Sequence, residues 1–374
     1  MEVFLLSVKK VGKVWSFRVD AGVDPRTGKR KQIYRSGFKT KREALEEMTR
    51  LQLQISTGEY TEPEKSLFNE YIESWLHKTY KHEVQLPTYE KAEPIVRYHL
   101  VPHFKSTPLS KITTYDIDQF YAAKLQEGLA NATVRKMHNL LSKALQKAVK
   151  WGLIKSNPAR DATPPTVHKQ RKQIWTVEEA KTFLEVCERE GELIPFLLAI
   201  FTGMRRGELL ALRWNNIDLE NGVIHVVESL VRTKEKGLYV KEVKTAHSVR
   251  EVFLSPDVRD ALVEYKKRQK PNELGIVIAS SVGTYMEPRN LLRKYQRLIK
   301  LAKVPYMPFH NLRHTHATIL MRMGENPKVV SERLGHARVG ITLDIYSHTN
   351  EEMQKRTANR FGEHFGFNGN NGDS

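Results

Sequence analysis

The stretch LGHARVGITLDIYSH, residues 334–348, decides how the rest of the chain is read. One tyrosine, Tyr346, stands ten residues after His336 in a segment without evident strand or helix period, and a further histidine, His348, follows it. A phenol with a pKa near 10 is a poor nucleophile at neutral pH, so Tyr346 carries chemistry only if the chain supplies groups that activate it. Such groups are cationic or transfer protons, and three stretches upstream hold them.

The first, FTGMRRGELLALRW (201–214), puts Arg205 just after a Thr-Gly turn on an otherwise apolar helix. An arginine in such surroundings needs an anionic partner, either a carboxylate such as Glu208 or a phosphate held by its planar fork. The second, YVKEVKTAHSVREVFL (239–254), reads as two short strands around a turn with Lys244 at the hairpin. The third, PFHNLRHTHATILMRMG (308–324), starts a helix near His310, and the i to i+3 spacing sets His310 and Arg313 on one side of its first turn. Two arginines, a lysine, two histidines and a tyrosine make an anion-binding and proton-transfer set.

With 374 residues and 40% hydrophobic content, the chain can build two or three domains with real cores. The longest apolar run, LIPFLLAIFTGM, is too short for a bilayer and contains Pro195, and MEVFLLSVKK lacks the features of a signal peptide, so a cytoplasmic protein is expected. The single cysteine, Cys187, excludes an intramolecular disulfide and a Cys-based metal cluster and reads as a core thiol. A net charge of +18 asks for a polyanionic partner, nucleic acid by default. Between Lys9 and Arg42 twelve Lys or Arg face only Asp20 and Asp24, so this stretch alone carries +10.

That basic stretch reads as a small module. VWSFRVD (14–20) and RKQIYRS (30–36) alternate as a hairpin, FLLSVKK (4–10) offers a third strand, and Thr40 with Glu43 forms a capping box for a helix ending near Gly58. The region after it is helical: Phe68, Tyr71, Ile72, Trp75 and Leu76 share one stripe, and Val134, Met137, Leu141, Leu145 and Ala148 share another, both core. SNPARDATPPTVHKQRKQ (156–173) breaks the pattern as a linker, and Thr176 with Glu179 opens the last domain with a second capping box.

Taken in order and spacing, TGMRRGELLALRW, KTAHSVR, HNLRHTHAT and LGHARVGITLDIYSH resemble the catalytic boxes of the tyrosine recombinases, the phage-integrase family. The resemblance covers about residues 171–366; the helical region is similar to that family's core-binding domain, and the N-terminal module to the arm-binding domain of integrases from phages and conjugative elements. It implies a multidomain fold: a small basic β-sheet plus helix (1–60), an all-α core-binding domain (61–160), and a mostly α catalytic domain with a small antiparallel sheet and a C-terminal helix (161–374). One departure is Asn311, where the family more often has Asp; either can cap a helix.

Carried over by the resemblance, Arg205 and Arg313 grip the scissile phosphate, His310 and His336 hydrogen-bond it and handle protons, with His310 the base toward Tyr346. Lys244 protonates the departing 5′ oxygen, and Tyr346 attacks phosphorus to form a 3′-phosphotyrosyl link on a mobile segment switched by a neighbouring subunit through EEMQKRTANRFGEHF. No cofactor or metal is implied. The implied partners are double-stranded DNA attachment sites, a homotetramer on synapsed DNA, and an excisionase and a host DNA-bending protein, in the bacterial cytoplasm at the nucleoid. A zinc cluster of His310, His314 and His316 is a weak alternative because Arg313 lies among them. His314, Arg206, Glu208 and His348 read as helix-packing or supporting groups. A type IB topoisomerase and a non-catalytic regulator built on a recombinase are the competing functions.

Overall fold

The computed structural model describes residues 8–23, 30–57, 66–168, 173–243, 249–346 and 350–364. The chain divides into two compact units, Met1–His168 and Lys169–Ser374.

The first unit opens with an antiparallel sheet in the order β1 (Lys9–Val11), β2 (Val14–Val23), β3 (Arg30–Phe38). The expected third strand forms over Lys9–Val11, pairing Val11 with Val14; residues 4–7 of FLLSVKK lie outside the described residues. Strand alternation sends Phe17, Val19 and Ile33 onto α1 (Lys41–Ser56), where they meet Ala44, Met48 and Leu51. The Thr40–Glu43 capping box forms as expected and fixes where α1 begins.

Helices follow. α2 (Phe68–Trp75) runs into α3 (Lys81–Glu83), and α4 (Leu86–Ile95) into α5 (Val101–Phe104), each through one π-type turn, at Leu76–Tyr80 and Val96–Leu100. With α6 (Thr114–Gln126) and α7 (Asn131–Lys150) they enclose a core in which both expected stripes are buried, and Tyr71 donates its hydroxyl to Ala144 O at 2.6 Å. The stretch read as linker begins as part of this core instead. Ala159 and Ala162 are buried in it, Asn157 Nδ2 donates to Ser142 O at 3.0 Å, and Asn131 Nδ2 donates to Thr166 O at 2.9 Å. Proline broke the helical period there without ending the packing.

In the second unit, α8 (Val177–Arg189), opened by the Thr176–Glu179 box, and α9 (Leu193–Thr202) pack with α10 (Arg206–Ala211). Two small antiparallel sheets follow: β4 (Ile217–Asp218), β5 (Val223–Val226) and β8 (Arg250–Phe253) form one, and β6 (Glu228–Thr233) pairs with β7 (Gly237–Glu242) in the other. The strands around Lys244 are therefore not a hairpin. β7 turns back on β6, whereas β8 pairs with β5 because Val252 must be buried beside Ile224. α11 (Pro256–Arg268), α12 (Pro288–Ala302), α13 (Asn311–Met323), α14 (Pro327–Leu334), α15 (Val339–Tyr346) and α16 (Asn350–His364) complete the unit. Its core centres on Trp175, Phe183, Phe196, Tyr295 and Phe309. Trp175 N donates to Thr315 Oγ1 at 3.2 Å and Trp175 Nε1 to Pro305 O at 2.7 Å, which pins α13 on the aromatic cluster. Cys187 is a buried core thiol, as expected. Among the described residues no helix is long and apolar enough to cross a membrane.

Candidate active site

Gly203 ends α9 in the left-handed region (φ 62°), a conformation that costs an ordinary side chain about 1–2 kcal/mol. The expected Thr-Gly turn thus separates α9 from α10, and Arg205 stands as the N-cap residue of α10. Its side chain is 38% exposed. Nη1 donates to Glu208 Oε1 at 2.6 Å and Nη2 to Gly335 O at 2.8 Å, while its backbone N donates to Glu208 Oε2 at 2.9 Å. Arg313, in the first turn of α13, is only 3% exposed. It donates from Nη1 to Gly203 O at 2.8 Å and from Nη2 to Leu334 O at 2.5 Å.

These carbonyls share an origin. Gly203 ends α9, and Leu334 with Gly335 ends α14, so the acceptors are carbonyls at helix C-termini. They hold the two guanidinium groups in place without cancelling their charge. Among the described residues the one carboxylate in the cluster is Glu208, itself 3% exposed, and a third arginine also claims it: Arg250 Nη2 donates to Glu208 Oε2 at 2.8 Å. Burial pushes the Glu208 carboxyl up, but the hydrogen bond and charge of Arg250 and the charge of Arg205 outweigh it and hold the group below the usual carboxylate range. Three arginines around one carboxylate leave two positive charges, and burial followed by the charge of Arg205 brings the Arg313 pKa down to about 9. A buried excess of cation is costly unless an anion is brought to it.

His336 follows Gly335 directly. Its Nδ1 lies 2.9 Å from Thr342 Oγ1, a fully buried residue of α15. Burial first, then the charges of Arg313, Arg205 and Arg250, push the His336 pKa down to about 4, so the ring is neutral at physiological pH. His310 stands at the N-terminal end of α13 and is exposed; its ring meets His314 edge-on at 4.8 Å between centroids. The first turn of α13 therefore carries one buried and one exposed member of the expected pair. Asn311 does not cap the helix: its Nδ2 reaches back to Gln173 O at 2.8 Å and ties α13 to the chain ahead of α8. Tyr346 is the last residue of α15, so the stretch without sequence period is a helix; the side chain of Tyr346, His348 and Lys244 lie outside the described residues.

His316 is buried and accepts from Arg333 Nε at 3.3 Å; burial and the charge of Arg333 bring its pKa down to about 3. That contact occupies a ring nitrogen the zinc reading needs, and among the described residues no three His, Cys, Asp or Glu are grouped to hold a metal ion. Sequence reading missed Arg250 and Arg333. The strand alternation of REVF, which points Arg250 and Val252 the same way, is the signal that would have found the first.

Elsewhere, the sheet face turned away from α1 exposes Arg18, Gln32 and Tyr34, with the Arg18 guanidinium 5.5 Å from the Tyr34 ring centre. On the helical region, Lys143, Lys147, Lys150 and Arg160 line a cleft of about 480 Å³.

Two guanidinium groups held by helix-terminal carbonyls, with a neutral imidazole beside them, make a site suited to a phosphate group. Three family models match the chain in order: the Arm DNA-binding domain over residues 7–55, the phage integrase N-terminal SAM-like domain over 67–125, and the phage integrase family over 173–353. The chain belongs to the phage integrase family and is a tyrosine recombinase, a DNA strand-exchanging enzyme. It is 28% identical to the ICEBs1 integrase of Bacillus subtilis, over 95% of this chain and 99% of that one. It is also 28% identical to a XerC-like tyrosine recombinase of Caldanaerobacter subterraneus subsp. tengcongensis, over 85% of this chain and 88% of that one. Among solved structures, the Tn1549 transposon integrase in complex with a circular intermediate DNA matches with a TM-score of 0.70 at 22% identity, covering 79% of this chain and all of that one.

Proposed function

We propose that this recombinase integrates and excises a mobile element by metal-independent transesterification at DNA attachment sites, with Arg205, Lys244, His310, Arg313, His336 and Tyr346 as its catalytic residues. The observation that carries the reading is the pair of guanidinium groups fixed by helix-terminal carbonyls, with two positive charges left over from Glu208 among the described residues. Such a site is preorganised for a phosphate and for the extra negative charge of its pentacoordinate transition state. Arg205 and Arg313 hold the non-bridging oxygens. Neutral His336 hydrogen-bonds the phosphate, and exposed His310 takes the proton of Tyr346. The Tyr346 oxygen bonds to phosphorus, the P–O bond to the 5′ oxygen breaks, and Lys244 supplies that oxygen with a proton. The 3′-phosphotyrosyl bond conserves the free energy of the phosphodiester, so a 5′ hydroxyl from the partner duplex reverses the step.

Two duplexes, each cut at two positions, need four nucleophiles, which favours a homotetramer on synapsed DNA. An apolar groove of about 580 Å³ lined by Val177, Phe201, Met323 and Val329, together with the exposed Phe361 of α16, supports exchange of the C-terminal helix between subunits. The arm module (1–60) uses Arg18, Gln32 and Tyr34 against distal sites, the helical domain (61–160) uses its basic cleft against the core site, and residues 161–374 perform the chemistry. An excisionase and a host DNA-bending protein set direction, and the enzyme works in the cytoplasm at the nucleoid.

The reading is tested with a nicked half-site substrate that traps the covalent complex. Wild-type protein forms the complex in excess chelator, while Arg205→Ala and Arg313→Ala lose about a hundredfold or more in rate, the usual effect of removing a transition-state donor. A strict magnesium requirement for cleavage overturns it.

A further inference from the structure

Arg250 is the one buried arginine of the cluster that the mechanism above does not use. Its residue is 9% exposed, and its guanidinium is directed at Glu208 and at the Arg333 carbonyl. It sits at the start of β8, and its guanidinium joins two separate parts of the site: Nη2 donates to Glu208 Oε2 at 2.8 Å, and Nε donates to Arg333 O at 2.8 Å, next in the chain to the carbonyls that hold Arg313 and Arg205. Glu208 in turn is the carboxylate bonded to Arg205.

We infer that Arg250 is a positioning residue that shares the charge of Glu208, so that Arg205 keeps its own charge for the scissile phosphate, and that it fixes the end of α14 against β8. The inference rests on the phosphate-binding role proposed for Arg205 and Arg313.

The charge balance makes the claim specific. With Arg250 present, Arg205, Arg313 and Arg250 against Glu208 give a net of two positive charges. Without it the net is one, and Glu208 faces Arg205 across 2.6 Å with no second guanidinium on it among the described residues. Replacing that carboxylate by an amide in the same background returns the net to two. The rate of cleavage therefore follows the charge rather than the number of intact contacts.

The full-length protein is used throughout, with the nicked half-site as substrate, and three quantities are read: half-site affinity, the rate of covalent complex formation at saturating protein, and melting temperature. Arg250→Met is expected to bind the half-site within about threefold of wild type and to cleave at least tenfold more slowly. Arg250→Met with Glu208→Gln is expected to recover at least a factor of three over Arg250→Met alone, although it has one native interaction fewer. Arg250→Lys, which keeps the charge but cannot span both Glu208 and the Arg333 carbonyl, is expected between wild type and Arg250→Met, and serves as the decisive variant if Arg250→Met fails to fold. A double variant that cleaves no faster than Arg250→Met, or an Arg250→Lys as slow as Arg250→Met at an unchanged melting temperature, overturns the inference. Failure of the phosphate-binding reading shows separately, as Arg205→Ala and Arg313→Ala cleaving at the wild-type rate.

Discussion

Gly203→Ala strikes the point where the fold and the site depend on one residue. At φ 62° an alanine costs about 1–2 kcal/mol in backbone strain. Its Cβ would lie 2.5 Å from Leu334 Cδ2 and 2.8 Å from His316 Cδ2, so both side chains must move, and over-packing of this kind costs about 1–3 kcal/mol. The combined loss of roughly 2–5 kcal/mol corresponds to a fall in melting temperature of about 4–20 °C for a unit of this size. The catalytic effect is separate. Gly203 O and Leu334 O are the two acceptors of Arg313, so the clash displaces both ends of its fork. A misplacement of about 1 Å in a positioned group costs on the order of a hundredfold in rate. Differential scanning fluorimetry and half-site trapping, run well below the lowered melting temperature, separate the two effects. A Gly203→Ala protein that melts within a degree of wild type and cleaves at its rate refutes the account of how Arg313 is held.

Three further outcomes are expected. Lys244→Ala should be rescued by a substrate whose bridging 5′ oxygen is sulfur, because a thiolate leaves without the proton; absence of rescue in a protein that still binds DNA moves the general acid elsewhere. His316 and His336 have folded pKa values of about 3 and 4, below the ordinary 6.5, so the unfolded chain takes up protons first as the pH falls. Stability should therefore be full above pH 6.5 and decline from there toward pH 4, read from urea midpoints; midpoints that stay constant from pH 7 to 4 contradict the burial of these neutral rings. Deleting residues 1–60 should leave half-site cleavage near wild type while abolishing integration between full attachment sites. It should also reduce the salt dependence of binding to long DNA, since the +10 stretch between Lys9 and Arg42 no longer displaces counterions; loss of half-site cleavage with no distal footprint contradicts an arm-binding role.

How much of this was legible in the sequence depends on where each interaction ends. Both capping boxes and both apolar stripes of the helical region were legible, because their partners lie three or four residues away along the chain. Arg205 stood out as a cation on an otherwise apolar helix, and Arg313 by its i to i+3 spacing from His310. Their acceptors did not: a backbone carbonyl at the end of a helix has no side-chain signature, and Gly203 lies 110 positions from Arg313 in the chain. α15 was invisible for a related reason. It is short and rich in β-branched residues, and it is fixed by burying Thr342 against His336 rather than by any period of its own. The strands around Lys244 were misread as a hairpin because adjacency in sequence favours that pairing, while burial of Val252 sends β8 to β5. Asn311 likewise had two uses open to its amide, and the tertiary one prevailed.

The central claim is that Tyr346 becomes joined to the 3′ phosphate of a cut strand at the two-arginine site. Its most direct test is to trap wild-type protein on a nicked half-site, digest protein and DNA, and locate the nucleotide adduct by tandem mass spectrometry. The expected result is one modified peptide carrying a 3′-linked nucleotide on Tyr346, absent from Tyr346→Phe protein that binds the half-site with unchanged affinity. An adduct on any other residue, a 5′ linkage, or a covalent complex that persists in Tyr346→Phe contradicts it.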